Sequence, residues 1–469
     1  MHTSTTSTVP LVSWTAAQLL EATQGYWLND QAPNSDIKRI LTDSRDAEAG
    51  DAFLALKGER FDAHAFITQV AEQGCQVAIV SQPIDAEICQ LVVPDTRLAL
   101  GQLGAYRRAQ NPQLKVIALT GSSGKTTTKE MLGSILSRIA PTLVTRGNLN
   151  NDLGVPVMLL ELRPEHQYAV MELGASHQGE IDYTSNLVQP LVAGIINIGT
   201  AHLGEFGGRD GICRAKSEIY AHIAPNGTSI VPAADDFADS IRQAVQTEQV
   251  LSFGAGGEIF ATEIELQAQS ATFKLNTPQG VRQVNLPFAG EHNVQNSTAA
   301  AAFALAIGIS LDDIVLGLEQ AVGAKGRLNF IQQGHHLLID DTYNANPTSM
   351  RAAAEVLAQQ EGVRVMVMGD IGELGSSAAQ QHYMLGRDLV SVKGLNFVVA
   401  VGEFAPAAQE GARSTQYGKK MQAFLTQEQA LPFLLSLIET HQPQSMSFLF
   451  KGSRYTHMET LMADLMEKL

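Results

Sequence analysis

The eight residues "TGSSGKTT", Thr120 to Thr127, have the types and spacing best suited to gripping phosphate in this chain of 469 residues. Thr120, Gly121, Ser122, Ser123 and Gly124 form a run of small side chains, and the two glycines let the backbone curl around an anion. Lys125 follows, with an ammonium long enough to reach terminal phosphates. The Thr126 hydroxyl, with Thr127 beside it, suits a Mg²⁺ ion. The apolar run "KVIAL" precedes the loop and reads as a buried strand. "TTTKEMLGSILSRI" follows it, with Met131, Leu132, Ile135, Leu136 and Ile139 at helical spacing. The loop therefore meets a helix N-terminus, where backbone N–H groups and the helix dipole favour anions. The common pattern G-x-x-x-x-G-K-[ST] wants a glycine where Leu119 stands. Leu119 belongs to the strand, so the loop's first turn is entered differently. The plainer reading is a glycine–serine turn ahead of a helix, but strand, loop, lysine, paired threonines and helix all agree with a nucleoside triphosphate site. No particular reaction is implied by the loop alone.

In open parallel sheets, ligands bind beyond the carboxyl ends of the strands. "YAVMEL" ends at Glu172, and "AGIINIGTAHLGEFGG" carries His202 just past its strand. Both are expected on the phosphate-loop edge, as a Mg²⁺ environment. Taken alone, Glu172 also reads as a capping or salt-bridged carboxylate, and His202 as an ordinary loop histidine. Lys216, in "RDGICRAKSEIY", reads as a solvated helix lysine. Its ammonium would be repelled by Mg²⁺ unless it paired with phosphate or were modified into an anion. "GEHN" sets Glu291, His292 and Asn293 at the start of an alanine-rich helix. "KGRLNF" sets Lys325 and Arg327 at a domain boundary, where the arginine is either a clamp on transition-state charge or part of a solvated linker.

The densest polar loop is "LLIDDTYNANPTSM". Asp340, Asp341, Tyr343, Asn344 and Asn346 follow a buried strand there and point to a ligand. "FKGSRYTHME", at an equivalent strand end, offers Lys451, Ser453 and Arg454 to an anionic substrate, or is an ordinary loop with a helix cap. "MGDIGELG" spaces its glycines G-x-x-G-x-x-G, not G-x-G-x-x-G, which argues against a nicotinamide site. Nearer the start, Ser44, Arg45, Lys57 and Arg60 cluster around short strands, as solvated surface or as a site for a phosphorylated ligand. "TRGNLNNDLGVP" presents Asn150 and Asn151, whose amides suit a peptide or a sugar.

These loops need a frame, and the pattern supplies one: short apolar strands alternate with amphipathic helices almost throughout, an α/β arrangement with largely parallel sheets. A first block runs to about residue 94, with strands at "AFLAL" and "CQVAIV". A second opens on the helix "TRLALGQLGAYRRAQNP" and carries the phosphate loop. It includes an antiparallel patch, "ATEIELQAQSATFKLNTPQGVRQVNLPF". The third begins near "KGRLNF" and is a doubly wound unit with strands "HLLID", "RVMVMG", "NFVVAVG" and "MSFLFKG". The expected bounds are a flexible tail over 1–12, then 13–94, 95–326 and 327–469. A net charge of -16 makes the chain a poor candidate for general nucleic-acid binding. No apolar run is long enough to cross a bilayer, and the start lacks the make-up of a secretory signal. Three scattered cysteines, Cys75, Cys89 and Cys213, fit a reducing cytoplasm.

"TGSSGKTTT", "GNLNNDLGVP", "MELGAS", "NIGTAHLGEFG", "AKSEI", "GEHN", "KGRLN", "DDTYNANPTSM" and "KGSR" occur in the order seen in the Mur ligases of peptidoglycan synthesis, which the chain resembles over nearly its whole length. "TYNANP" and "GNLNND" are most similar to the branch that adds a D-alanyl-D-alanine dipeptide. The "DNPR" motif of the diaminopimelate- and lysine-adding branches is absent. The resemblance implies three domains: one for a UDP-sugar, a central P-loop ATPase, and a C-terminal Rossmann-like domain for the incoming dipeptide. It implies ATP and two Mg²⁺ ions. It places phosphate binding on Lys125, metal ligation on Thr126, Glu172, His202 and Lys216 as a carbamate, and nucleotide contacts on Asn293, Arg327, Asp341 and Tyr343. It places UDP binding on Ser44 and Arg45, and muramyl-peptide contacts on Asn150 and Asn151. Asn344, Asn346, Lys451, Ser453 and Arg454 complete the expected substrate set, and Lys125, His202, Lys216 and Arg327 the expected catalytic set. Family members often have glycine after the modified lysine, where this chain has Ser217.

The implied reaction is ATP-driven amide formation in a bacterial cytoplasm, by a monomer, between UDP-MurNAc-tripeptide and D-alanyl-D-alanine. Four alternatives remain open: another Mur-type ligase, a folylpolyglutamate-type ligase, a P-loop kinase, and a nucleotide-regulated binding protein. Diaminopimelate and lysine at the third peptide position are equally compatible with the sequence.

Overall fold

The computed structural model describes residues 12–58, 61–200 and 203–469. Two candidates, Arg60 and His202, and all but the last residue of the expected tail lie outside them. By contact density the chain divides into two compact units. One comprises Met1–Ala118, Ala140–Gly174 and Asp182–Pro190. The other comprises Leu119–Ile139, Ala175–Ile181 and Leu191–Leu469.

The first unit holds a five-stranded sheet in the order Tyr26–Trp27, Cys89–Val92, Val77–Val80, Ala52–Leu54, Ile40–Leu41. The outer pair at Tyr26 is antiparallel and the rest are parallel. Its strands are apolar at nearly every position because both faces are covered. Leu54, Val77 and Ile79 join one core with Trp14, Leu100 and Leu103. Phe53, Ala78 and Val80 join the other with Ile67 and Val70. The helix Thr96–Ala109 starts where Asp95 accepts the N–H groups of Arg97 and Leu98, at 2.7 and 3.1 Å. In the same unit Thr142–Val144 and Tyr168–Glu172 pair in parallel.

In the second unit Val192–Ile195, Thr228–Pro232 and Gln249–Phe253 are parallel neighbours. The Ile196 N–H donates to the Thr120 carbonyl at 2.8 Å, which fixes the last residue of the phosphate-loop strand, Lys115–Thr120. The expected antiparallel patch is a three-stranded sheet, Phe260–Leu266, Ala271–Thr277 and Gly280–Leu286. The alanine-rich helix Glu291–Ala306 is buried along most of its length, since alanines allow close approach.

The C-terminal sheet runs Asn329–Gln333, His336–Asp340, Met446–Lys451, Val363–Gly369, Phe397–Val401, Met421–Phe424. Only its first pair is antiparallel. Met366, Met368 and Leu449 face one helical layer. Val365, Val367, Phe448 and Phe450 face the other. The unit is doubly wound, as its pattern predicts. The register aligns Asp340 with Phe450 and Met368 with Lys451, so three loops leave the sheet at one edge.

Two expectations need correction. The helix after the phosphate loop ends at Ser137, and Ile139 lies beyond it, 42% exposed, while Met131, Leu132, Ile135 and Leu136 are buried. Pro141 contributes, since it restricts Ala140 and has no N–H to carry the helix on to the Ser137 carbonyl. The edge strands Tyr26–Trp27, Asn329–Gln333 and Met421–Phe424 carry no readable strand signal because each is very short or broken by polar residues, with one side chain in each facing outward.

Candidate active site

One asparagine side chain grips the backbone of the phosphate loop. Asn197, two residues past its strand, accepts the Ser122 and Ser123 N–H groups on Oδ1 at 3.1 and 2.9 Å. Its Nδ2 donates to the Ser123 carbonyl at 2.9 Å. Lys125 Nζ donates to the Gly121 carbonyl at 2.8 Å, closing the loop on itself. Gly124 is the N-cap of the helix Lys125–Ser137, at φ +79°, and no side chain caps that end. The first turn of that helix is thus left without a side-chain cap at the loop end. The Thr120, Ser122 and Thr128 hydroxyls are buried without a hydrogen-bond partner. Buried orphan hydroxyls are uncommon in folded proteins, and a ligand rich in oxygen acceptors suits them.

Behind the loop stand Asn293 and Asn296, on one face of the helix Glu291–Ala306. Asn293 donates to the Ala289 carbonyl at 2.8 Å and accepts from Asn296 at 3.0 Å. Asn197 and Asn296 were not singled out from the sequence. The available signals were slight: Asn197 is the first polar residue after "VAGII", and Asn296 lies one turn from Asn293.

In the C-terminal sheet Asp341 and Lys451, expected as separate ligands, form one buried ion pair at 2.6 Å. Lys451 also donates to the Asn344 carbonyl at 3.0 Å. Burial pushes the lysine's pKa below its usual value, and Asp341 opposes that shift. The Arg327 guanidinium lies over the Tyr343 ring, 4.3 Å from its centroid, and its Nε is buried without a hydrogen-bond partner. Asn346 caps the helix Pro347–Ala358 and donates to Ser123 Oγ at 2.9 Å. The structure thus brings the "TYNANP" loop to the phosphate loop. Ser453 accepts the Gly372 N–H at 2.8 Å. Asn344 and Arg454 are exposed, and Arg454 pairs with Glu459 at 3.0 Å. Lys216 is 2% exposed on the helix Arg209–Ser217, against the expectation of a solvated lysine. It shares the inward face with Ile212, one turn earlier.

Other candidates lie in the first unit. Glu172 is 2% exposed and accepts from Asn150 Nδ2 at 2.7 Å. Asn151 accepts the Gly154 N–H at 2.8 Å. Ser44 opens a short 3₁₀ turn, Ser44–Asp46. The Arg45 guanidinium there turns back on Asp43, with Nε 2.9 Å from Oδ1, and holds that carboxyl at a pKa of about 2. Lys57 pairs with Asp62 at 3.5 Å. Among the described residues, no three His, Cys, Asp or Glu side chains converge as a metal site.

Three family models match the chain: the Mur ligase family catalytic domain over residues 36–118, the Mur ligase middle domain over 119–304, and the Mur ligase glutamate ligase domain over 326–454. The UDP-N-acetylmuramoyl-tripeptide–D-alanyl-D-alanine ligase of Escherichia coli K12 is 41% identical over 463 residues, 97% of this chain and 99% of that protein. The chain belongs to the Mur ligase family. Among solved Mur ligases, a crystal structure of MurF from Acinetobacter baumannii is 75% identical with a TM-score of 0.95, covering 98% of this chain and 100% of that one. The MurF ligase of Thermotoga maritima in complex with ADP is 25% identical with a TM-score of 0.79, over 92% and 97% of the two chains. Among the described residues, no helix of this Mur ligase is long and apolar enough to cross a membrane.

Proposed function

We propose that this Mur ligase joins D-alanyl-D-alanine to the terminal carboxylate of UDP-MurNAc-tripeptide at the expense of ATP, as a cytoplasmic monomer. The observation that carries the reading is the phosphate loop, a glycine-capped helix start with buried unpartnered hydroxyls, in a chain aligned end to end with a ligase of that name. A carboxylate is a poor electrophile because it carries a full negative charge. Its oxygen attacks the γ-phosphorus, the bond to ADP breaks, and an acyl phosphate forms. The dipeptide amine then attacks the acyl carbon, loses a proton, and the tetrahedral intermediate expels phosphate. The protein has little covalent work to do; positioning and charge compensation carry the rate.

In this reading residues 13–94 take the UDP moiety with Ser44 and Arg45, 95–326 bind ATP, and 327–469 bring the dipeptide with Asn344, Ser453 and Arg454. Lys125 holds the transferring phosphate and Arg327 offsets its charge. Asn293, Asp341 and Tyr343 line the nucleoside. Asn150 and Asn151 meet the muramyl peptide. Two Mg²⁺ ions would be held by Thr126, Glu172, His202 and Lys216 as its carbamate. Hydroxyl, carboxylate and carbamate oxygens suit a hard cation. When bound, Mg²⁺ supplies charge compensation at the phosphates.

Replacing Lys125 tests the reading. Lys125→Ala is expected to lose acyl-phosphate formation while binding of the UDP-tripeptide, followed by calorimetry, is retained. Full ligase turnover in that variant would overturn it.

A further inference from the structure

Asn346 does two jobs with one amide. Its Oδ1 accepts the Ser349 N–H at 2.8 Å while its own N–H donates to Ser349 Oγ at 3.0 Å, a reciprocal cap at the start of Pro347–Ala358. Its Nδ2 donates to Ser123 Oγ at 2.9 Å. Ser123 is gripped from the other side by Asn197, through both its N–H and its carbonyl. The tip of the phosphate loop is therefore fixed between a residue of the strand-end loop at Asn197 and the residue that starts a helix of the C-terminal sheet. That helix follows directly on the run from Asp341 to Asn344, whose first residue is locked by Lys451. The Asn346 amide is thus already committed, on one oxygen and one nitrogen, to protein partners.

We infer that Asn346 is a positioning residue for the nucleotide and not a substrate ligand: through Ser123 it keeps the phosphate loop in one register with the Asp341–Tyr343 run. The inference rests on reading the loop as the nucleotide site, but not on which carboxylate or amine is joined.

Serine and glycine both serve well as N-caps, so Asn346→Ser and Asn346→Gly keep the helix start while failing to reach Ser123. Ser123→Ala removes the other end of the bond and leaves the cap untouched. Calorimetric titration of ADP with Mg²⁺ is expected to show each variant weakened about three- to tenfold, the weight of one neutral hydrogen bond. The KM for ATP should rise with it, while the KM for UDP-tripeptide stays within about twofold. The double variant Asn346→Ser with Ser123→Ala should bind ADP no worse than the weaker single one, because both changes delete the same bond. Three results would overturn the inference: ADP affinity near wild type in both Asn346 variants, losses that multiply in the double variant, or a loss seen with Asn346 changes and absent with Ser123→Ala. ADP titration reads this even if the ligase reaction proves to be a different one.

Discussion

Gly124 stands at φ +79°, where a side chain is strained, and a Cβ there would lie 2.2 Å from Asn296 Oδ1. Asn296 cannot simply withdraw, because Asn293 holds its amide and is itself tied to Ala289. Gly124→Ala is therefore expected to weaken ADP binding at least about tenfold by calorimetry; unchanged affinity would contradict the packing. The turn through Gly124 into the helix that starts at Lys125 was legible because strand, turn and helix follow one another directly along the chain. The Asp341–Lys451 pair was legible only as two separate polar residues, since sheet register and not sequence proximity brings them together. Asp341→Ala would leave a buried ammonium without its counter-ion. It should cost about 3–5 kcal/mol in urea unfolding, and a loss below about 1 kcal/mol, the range of an exposed pair, would place the two in water.

At the scale of elements, the phosphate loop is aimed by the helix behind it. Lys125–Ser137 packs against Leu311–Glu319 so tightly that a Cβ at Gly317 would fall 2.5 Å from the Ile135 Cα. Ser134 Oγ donates to the Gly317 carbonyl across the same contact, at 2.7 Å. Backbone cannot yield as a flexible side-chain tip can, so Gly317→Ala is expected to lower stability by about 1–3 kcal/mol. A denaturant midpoint equal to wild type would show that the helices separate freely. The helix and its neighbouring central strands were readable because burial leaves a period or an unbroken apolar run in the sequence. Asn197 was not, because its three bonds to Ser122 and Ser123 join segments that no local pattern connects. The same holds for Lys216, whose burial depends on what covers its helix.

For the molecule as a whole, protonation sets a stability limit on the acid side. Burial holds His166, His292 and His336 below the usual imidazole value of 6.5. As pH falls through 6.5 towards their lower folded values, the unfolded chain takes up protons that the folded chain refuses. Their contribution is thus complete above that value and declines below it. Urea midpoints should fall between about pH 7 and about pH 5.5, and a flat profile would contradict the sign. The central claim is chemical: ATP activates one carboxylate for one amine. Phosphate release from ATP, followed continuously, tests it most directly. The account predicts release that requires UDP-MurNAc-tripeptide and D-alanyl-D-alanine together and is negligible with single amino acids in place of the dipeptide. Equal release with the dipeptide omitted, or with any single amino acid, would contradict it.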